Sequence, residues 1–425
     1  MFDIKLIREN LESVKKGLAA KNVSFNLNEI LELDKKRRDI LSELEELRNQ
    51  KNLANDEISQ LLKGRKDTQA KIFSMKEIAS RIDDLGPQCK ELENKINGVL
   101  INIPNLPHVS VPVGSAEKNQ IVRSWQSPKQ FDYKPRTHIE IAESLDIIDF
   151  KRASKISGSN FILYKNEGAR LERALYNFML DLHTQEHGYE EIFPPFLVNR
   201  DSMTGTGQLP KMEEDMYCLK DEDLFLIPTA EVPVTNIHRD ELLDEEELPI
   251  YYTAYTACFR REAGSYGKDT KGLIRVHQFD KVELVKFVKP ESSYDELEKL
   301  VVNAQEVFKR LKLPYRVLIL ASGDLSFAAA KCYDIEVHAP GMNRWLEASS
   351  CSNFEDFQAR RANIRFKGKE TKKAVFVHTL NGSGVALART MAALLENYQS
   401  GEGEVAIPEV LQPYMAGLKK ISLGK

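Results

Sequence analysis

Arginines placed to hold a chain of phosphates occur in two separated segments of this sequence. Arg260 and Glu262 stand in the first segment, which leads through a polar stretch into residues 274–284. This pattern predicts strand, loop and strand, and the side chains of a regular strand alternate between two faces. Arg260 then shares a face with Glu262, and Phe279 shares one with Glu283. A cation, a ring and carboxylates are expected to line one cleft, although an arginine and a glutamate two apart are more often a surface ion pair worth under about 1 kcal/mol.

The second segment, residues 381–390, holds a Gly-Ser-Gly sequence and then Arg389. It follows a β-rich run at 374–380 and precedes an apolar helical pattern, which predicts a strand-to-helix junction. Gly-Ser-Gly at such a junction is often only a tight turn, and Arg389 is expected about one and a half turns into the helix. The chain has no Gly-x-x-x-x-Gly-Lys-Ser/Thr sequence, which excludes ATP binding by a P-loop.

A long helical hairpin precedes these segments. One seam runs from Ile30 to Leu61 in alternating steps of three and four residues, and a second runs from Met75 to Val99, which is the heptad pattern of a coiled coil. The polar stretch 63–67 joins them, so the two helices are expected to fold back on each other. The first helix extends roughly 45–50 Å and should project into solvent. A dimerising or purely structural coiled coil would show the same seam.

Prolines mark two points along the chain. Gly86-Pro87 lies inside the second seam, where proline removes a backbone donor, so a kink is expected there. Residues 103–112 contain spaced prolines that cannot continue a helix, which indicates a domain boundary. Beyond it, helical patterns mix with short β-rich runs, which indicates an α+β domain.

Length, charge and cysteine usage limit the class of protein. The 425 residues suffice for two or three domains, and the net charge of −4 excludes a polycation, so a nucleic acid would have to bind a local basic surface. The five cysteines show neither a disulfide framework nor zinc-ligand spacing, so a reducing compartment and no zinc are expected. Without a signal peptide or an apolar run of roughly 20 residues, the sequence predicts a cytoplasmic protein with no membrane partner.

The functional segments resemble those of a known enzyme class. Phe-Arg-x-Glu at 259–262, continued by His-Gln-Phe at 277–279, resembles motif 2 of the class II aminoacyl-tRNA synthetases, and residues 381–390 and 188–199 resemble their motifs 3 and 1. Further stretches narrow the resemblance to the seryl-tRNA synthetase family and extend it over nearly the whole chain. They are Lys-Ile-Ser-Gly-Ser at 155–159, Gly-Ala-Arg-Leu-Glu-Arg-Ala-Leu at 168–175, Gly-Thr-Gly-Gln-Leu-Pro-Lys at 205–211, Thr-Ala-Glu at 229–231 and Ser-Ser-Cys-Ser-Asn at 349–353.

The resemblance implies an α+β fold in which an N-terminal antiparallel two-helix coiled-coil arm precedes a C-terminal class II synthetase domain with a mainly antiparallel β-sheet flanked by helices. Residues 1–103 are expected to bind tRNA, with the hairpin over about 27–100 and its tip near 63–67. A linker, 104–136, leads into a catalytic domain, 137–425. Motifs 1, 2 and 3 fall at about 175–199, 253–284 and 374–399. Motif 1 implies a homodimer.

The resemblance also implies an ATP-dependent serine–tRNA ligase, which forms seryl-adenylate and pyrophosphate and then transfers serine to the 3′ end of tRNA(Ser), with tRNA(Sec) as a further candidate. Arg260 and Arg389 are the expected catalytic residues. The expected ATP-binding residues are Arg260, Arg261, Glu262, Val276, Phe279, Glu347, Ala348, Ser349, Ser350 and Arg389. The expected L-serine-binding residues are Thr229, Ala230, Glu231, Arg260, Glu283, Asn381 and Ser383.

Two further sets of binding residues follow from the same resemblance. Glu347 and Ser350 are expected to hold Mg²⁺ with the ATP phosphates, because hard oxygen ligands suit this ion. Positions three apart on a regular strand face opposite sides, so this pairing requires a local bulge. Lys63, Arg65 and Lys66 at the hairpin tip are the expected tRNA contacts.

Two other functions stay open. A synthetase-like ligase that loads an amino acid onto a carrier protein would share the catalytic motifs, but it has no use for an arm that grips tRNA. A coiled-coil nucleic-acid-binding protein without catalysis would explain the hairpin, but it leaves Arg260, Glu262, Glu283 and Arg389 without a role.

Overall fold

A computed structural model describes residues 1–262 and 271–423, so the loop expected inside motif 2 lies outside the described residues. The described chain forms two compact units, Met1–Pro104 and Asn105–Lys425. Its α-helices are Ile4–Glu9 (α1), Leu11–Ala20 (α2), Leu27–Lys63 (α3), Gln69–Leu100 (α4), His138–Ser144 (α5), Phe150–Ser157 (α6), Asn166–Gln185 (α7), Arg200–Thr206 (α8), Glu231–Thr235 (α9), Ser293–Arg310 (α10), Phe357–Ala362 (α11) and Leu387–Asn397 (α12).

Its strands are Gln120–Trp125 (β1), Glu190–Glu191 (β2), Leu197–Asn199 (β3), Leu224–Leu226 (β4), Leu242–Asp244 (β5), Ile250–Phe259 (β6), Gln278–Val288 (β7), Tyr315–Ile319 (β8), Lys331–Ala339 (β9), Arg344–Asn353 (β10), Arg365–Lys367 (β11), Ala374–Phe376 (β12), His378–Ala386 (β13), Val405–Ala406 (β14) and Lys420–Ile421 (β15).

The predicted coiled-coil hairpin is the main feature of the first unit. The residues of both predicted seams are buried or half-buried, whereas most of their neighbours in α3 and α4 are exposed. An apolar cluster around Leu44, Leu85 and Cys89 joins the two helices, and Arg81 Nε lies 2.8 Å from Glu43 Oε1 across the hairpin. The heptad prediction is therefore confirmed.

The tip of the hairpin is exposed and basic. Lys63, Arg65 and Lys66 are all exposed, and Arg65 has a left-handed φ of 52° where the chain turns. Lys71, by contrast, forms an ion pair with Glu57 on the facing helix. Helix α4 is continuous through Pro87, and the kink expected there stays a prediction.

An eight-stranded sheet organises the second unit, in the order β1-β8-β9-β10-β13-β7-β6-β2. All neighbouring pairs are antiparallel except β2 with β6. Helices α7, α10 and α12 pack against this sheet in one large apolar core. The sheet includes β1, so the stretch expected to be a linker, 104–136, contributes a strand. The class II fold expected from the sequence is confirmed.

Side-chain alternation along β7 divides the sheet into an apolar face and a polar face. Val282 and Leu284 are fully buried in the core beneath the helices. Phe279, Lys281 and Glu283, two residues apart, line a cavity on the other face. The alternation predicted for the second strand of motif 2 is correct, but the strand begins at Gln278 rather than at Ile274.

The glycines of motif 3 lie inside β13, which leads directly into α12, so the predicted strand-to-helix junction is present and the glycines do not form a turn there. A Cβ at Gly382 would lie 2.9 Å from Cys351 Sγ and 3.2 Å from Leu300 Cγ, so glycine is needed for close packing rather than for a turn. Because the strand continues to Ala386, helix α12 begins at Leu387. Arg389 is therefore in the first turn of the helix, not one and a half turns into it.

We expect Gly382→Ala to destabilise the second unit by about 1–3 kcal/mol, because the added methyl group overpacks the contact with Cys351 and Leu300. Gly401→Ala is the matched control, since a Cβ there would lie 3.5 Å from Tyr133 Cδ1, an ordinary contact. Calorimetry of both variants should show a lowered thermal midpoint for Gly382→Ala only. Equal midpoints would contradict the packing role.

Candidate active site

The polar face of the sheet carries a cavity of about 630 Å³. It brings together most of the residues predicted from the sequence, although they come from seven elements and loops. Those that line it are Thr229, Glu231, Arg260, Glu262, Val276, Phe279, Glu283, Glu347, Ala348, Ser349, Ser350, Asn381, Ser383 and Arg389. Both predicted arginines therefore reach one shared space.

Arg260 follows the last residue of β6 and is fixed at three points. Its N–H donates to His277 O at 2.9 Å, its Nε donates to Pro228 O at 3.3 Å, and its guanidinium carbon lies 5.3 Å from the centroid of the Phe279 ring. A guanidinium over a ring face is attracted by the ring quadrupole. The cation and the aromatic ring thus support each other in the cavity.

Glu262 reaches the cavity by a different route from the one predicted. Strand β6 ends at Phe259, and Glu262 has a left-handed φ of 51°, so regular strand alternation does not place it beside Arg260. Its carboxylate pairs with Arg275, which also lines the cavity. The turned backbone and this ion pair fix its position.

Arg389 approaches from the opposite side, from the first turn of α12. Its Nη1 donates to Glu347 O at 2.7 Å and its Nε donates to Ile274 O at 3.2 Å. Nη1 also lies 3.5 Å from Glu347 Oε2. The guanidinium is therefore held by two carbonyls, with an exposed carboxylate beside it.

A small buried subsite lies deeper in the cavity, around Thr229 in the loop before α9. Thr229 Oγ1 donates to Glu283 Oε2 at 2.8 Å and accepts from Lys281 Nζ at 2.8 Å and from Glu231 N at 3.1 Å. Lys281 also forms an ion pair with Glu283. All four residues are buried, and Ser383 lies directly across from Glu283 in the sheet.

Glu231 is a buried carboxylate of this subsite whose pKa lies well above its ordinary value. Burial, together with the charge of Glu283, raises the pKa of Glu231 to about 7, although the hydrogen bond from Gln358 and the charges of Lys281 and Arg260 oppose the rise. Gln358 Nε2 donates to Glu231 Oε1 at 2.6 Å, and its own Oε1 accepts from Thr379 at 2.7 Å. The carboxylate therefore has a fixed orientation.

Strand β10 contains the bulge that the Glu347–Ser350 pairing required. Its register with β9 shifts between Glu347 and Ser349, so Glu347 lies opposite Glu336, and Ser350 lies opposite Asp334. Positions 334 and 336 share a face of β9, and Glu347 and Ser350 consequently share a face of β10. The predicted bulge is confirmed.

The oxygens at this bulge fit a divalent cation that is shared with phosphates. Glu347 and Ser350 line the cavity, and Asp334 lines it beside them. Burial and the charge of Glu347 raise the pKa of Asp334 to about 8. Among residues 1–262 and 271–423 no cluster of three or more histidine, cysteine or carboxylate side chains has metal-binding geometry. Mg²⁺ is usually coordinated by one or two protein carboxylates, and substrate phosphates supply further ligands.

Two predicted residues lie outside the cavity lining. Ala230 packs its side chain in an apolar cluster beneath α9, so only its backbone can face a ligand. Arg261 is exposed, and its N–H donates to Asp215 O at 2.9 Å.

Several lining or supporting residues were missed, among them Lys281, Arg275, Asp334 and Gln358. Lys281 could have been found from the same alternation that selected Phe279 and Glu283. The partner of Glu231, Gln358, lies 127 residues further along the chain, and no local pattern points to it.

Within the described residues, no helix combines the length and the apolar character that crossing a bilayer demands. The five cysteines are free thiols, and four of them are buried.

Comparisons with known proteins agree along the whole chain. The family model for the seryl-tRNA synthetase N-terminal domain matches residues 1–107, and that for the class II tRNA synthetase core domain (G, H, P, S and T) matches residues 216–398. Serine–tRNA ligases of Listeria welshimeri and Geobacter sulfurreducens are 55% and 56% identical, over 100% and 99% of this chain and 100% of each relative.

Solved structures give the same result. The seryl-tRNA synthetase of Pyrococcus horikoshii complexed with ATP has a TM-score of 0.91 at 40% identity, with both chains covered completely. The cytoplasmic serine–tRNA ligase of Naegleria fowleri in complex with AMP has a TM-score of 0.88 at 29% identity, covering 100% of this chain and 99% of that one. On its sequence, its fold and the residues that meet in its cavity, the chain belongs to the seryl-tRNA synthetase family.

Proposed function

We propose that this chain is a serine–tRNA ligase, which activates L-serine with ATP to seryl-adenylate and pyrophosphate and then transfers serine to the 3′ end of tRNA(Ser). The observation that carries the proposal is the meeting of Arg260 and Arg389 in one cavity beside a small buried polar subsite. Activation requires the serine carboxylate to attack the α-phosphate while negative charge develops there. Two fixed guanidiniums supply the positive charge for this step.

ATP would bind in the part of the cavity outside the buried Thr229 subsite. The Phe279 ring offers a face for the adenine, Glu262 an acceptor for its amino group, and the backbone at Val276 closes the side of the pocket. Arg260 would bind the α-phosphate and the serine carboxylate, and Arg389 would hold the terminal phosphate, since a planar guanidinium binds such oxygens in pairs. Mg²⁺ bound at Glu347 and Ser350 would neutralise phosphate charge during activation. The backbone of residues 348–349 lies beside this pair.

L-Serine would occupy the buried subsite. Glu231 would pair with its α-ammonium next to Thr229 and the Ala230 backbone, and Glu283 and Ser383 would face its hydroxyl, with Asn381 beside them. Buried polar groups would lack partners if alanine were bound, so the subsite penalises the loss of the hydroxyl. The pocket thereby selects its amino acid without an editing step.

The hairpin supplies the second half of the function. We assign residues 1–103 to tRNA binding, with Lys63, Arg65 and Lys66 contacting the phosphate backbone, and residues 137–425 to catalysis. Phosphate contacts fix an RNA without reading its bases, which suits recognition by shape. The proposal also includes a homodimer formed through motif 1 and tRNA(Sec) as a further substrate. It places the protein in the cytoplasm, and the five free thiols support this location because disulfides do not form in a reducing compartment.

ATP–pyrophosphate exchange with the purified chain tests the first step. We expect exchange that depends on serine and stays at background with alanine or threonine. Exchange that is absent, or that does not depend on serine, would contradict the proposal. Charging of total tRNA with labelled serine tests the second step.

The pH dependence of serine binding should follow Glu231. An ammonium pairs with the ionised carboxylate, and with a pKa of about 7 the ionised fraction of Glu231 falls as the pH is lowered. The KM for serine should therefore rise up to about tenfold between about pH 8 and about pH 6, with a smaller change in kcat. Glu231→Gln should bind serine more weakly and lose this dependence. The same slope in both proteins would contradict the assignment.

A further inference from the structure

The Thr229 hydroxyl has no hydrogen-bonding capacity left for a ligand. A hydroxyl offers one hydrogen and two lone pairs. The hydrogen goes to Glu283 Oε2, and the lone pairs accept from Lys281 Nζ and from Glu231 N. The hydroxyl therefore contributes to serine binding through the groups it holds.

The two oxygens of Glu283 are unequally used. Oε2 accepts from Thr229 Oγ1 and pairs with Lys281 Nζ. Within residues 1–262 and 271–423, Oε1 receives no hydrogen bond, although Glu283 is 1% exposed and lines the cavity. Because Glu283 lines the cavity, this oxygen is suited to a donor supplied by the substrate.

Lys281 is what makes the two oxygens unequal. Its ammonium is sealed in the subsite, with a side-chain exposure of 6%, and both its contacts lie on the Thr229 side of Glu283. A buried lysine requires a charged partner, and Thr229 and Lys281 together hold Glu283 Oε2, which restricts rotation of the carboxylate. Because Lys281 binds Oε2, the other oxygen of Glu283, Oε1, points away from the ammonium.

We infer that Lys281 is a positioning residue for substrate selection: it holds Glu283 by Oε2 so that Oε1 accepts the hydroxyl hydrogen of serine. The inference rests on the proposed function, since it concerns the same subsite. Ser383, directly across from Glu283, completes the surroundings of the hydroxyl. Selection of serine over alanine then depends on a residue that need not touch the substrate.

Lys281→Met keeps most of the side-chain volume and removes the charge. We expect the ratio of kcat/KM for serine to that for alanine, measured by ATP–pyrophosphate exchange, to fall roughly 10–100-fold, because a charged hydrogen bond loses its orientation while contacts common to both amino acids remain. Lys281→Arg keeps a cation and should restore part of the ratio. Loss of Lys281 should also shift the rise in the KM for serine to higher pH, because the charge of Lys281 opposes protonation of Glu231. The hydrogen bond from Gln358 and the charge of Arg260 act in the same direction, whereas the charge of Glu283 favours protonation.

Lys286→Met is the matched control. Lys286 is also buried on β7 and pairs with Glu296 at 2.9 Å, but it does not line the cavity. It should alter the thermal midpoint without changing the serine-to-alanine ratio.

The outcomes separate the inference from the proposed function. A lowered ratio in Lys281→Met, an unchanged one in Lys286→Met and partial recovery in Lys281→Arg support the inference. An unchanged ratio in Lys281→Met overturns it while the proposed function stands. Should Lys281→Met fail to fold, Lys281→Gln decides, because it also removes the charge but keeps a polar side chain, and an unchanged ratio in that variant overturns the inference. No serine-dependent exchange in the unmodified chain removes the proposed function and the inference together.

Discussion

Replacing Arg260 by alanine is expected to lower serine-dependent ATP–pyrophosphate exchange on the order of 10²–10³-fold in kcat. The guanidinium is held by Pro228 O and the Phe279 ring, so in the proposed binding mode it would meet the α-phosphate without having to reorganise. A cation fixed where charge develops stabilises the transition state more than the bound substrates. The measurement is steady-state exchange at saturating ATP and serine.

Two variants control this experiment. Arg260→Lys retains the charge but loses the planar fork, and we expect most of the loss to persist. Arg200→Ala removes an arginine that also lies over a ring, 5.0 Å from the centroid of Phe225, but that does not line the cavity. Its exchange should stay within about twofold of the unmodified protein, since surface changes away from a site have small effects. Full activity in Arg260→Ala would show that the motif 2 assignment is wrong.

Shortening the hairpin is expected to separate the two half-reactions. Deletion of residues 48–77, bridged by a short glycine-serine linker, removes the basic tip but keeps the cluster of Leu44 with Leu85 and the Glu43–Arg81 ion pair. Adenylate formation should stay within about twofold, because the deletion leaves every cavity-lining residue in place. Charging of tRNA should fall on the order of 10²-fold or more, since the proposed phosphate contacts would be lost together.

Retention of helical structure in the shortened protein, measured by circular dichroism, is the control for this deletion. A full-length variant with Lys63, Arg65 and Lys66 all changed to alanine tests the tip alone, and we expect its charging to be weaker than that of the unmodified chain at low salt and to fall less steeply as the salt concentration rises. Equal loss of exchange and charging in the deletion would mean that the hairpin supports the catalytic unit instead of tRNA binding.

Local patterns were sufficient for much of the fold. Heptads placed the coiled-coil hairpin, and period-2 alternation placed Phe279 and Glu283 on one face, because both depend only on the repeat of the backbone. The demand that Glu347 and Ser350 share a face even predicted the bulge in β10. These features follow from the geometry of single elements.

Tertiary contacts decided what the sequence could not indicate. Leu300 and Cys351 pack closely against the backbone at Gly382, and the Gly-Ser-Gly sequence lies within β13 rather than in a turn. The next helix therefore begins at Leu387, later than the sequence indicated. The left-handed backbone of Glu262 and the pairing of Gln358 with Glu231 arise from partners distant along the chain. Alternation along β7 could have placed Lys281 in the cavity, but spacing carries no information about which oxygen of Glu283 it binds.

The extra residue in β10 has a consequence for protein design. If the segment 347–350 were grafted onto an unbroken strand of another sheet, its first and last side chains would point to opposite sides, and one of the two oxygens would be lost to the interior. A designer who wishes to transplant this proposed cation-binding pair must therefore carry over the irregular register with the facing strand as well as the four amino acids.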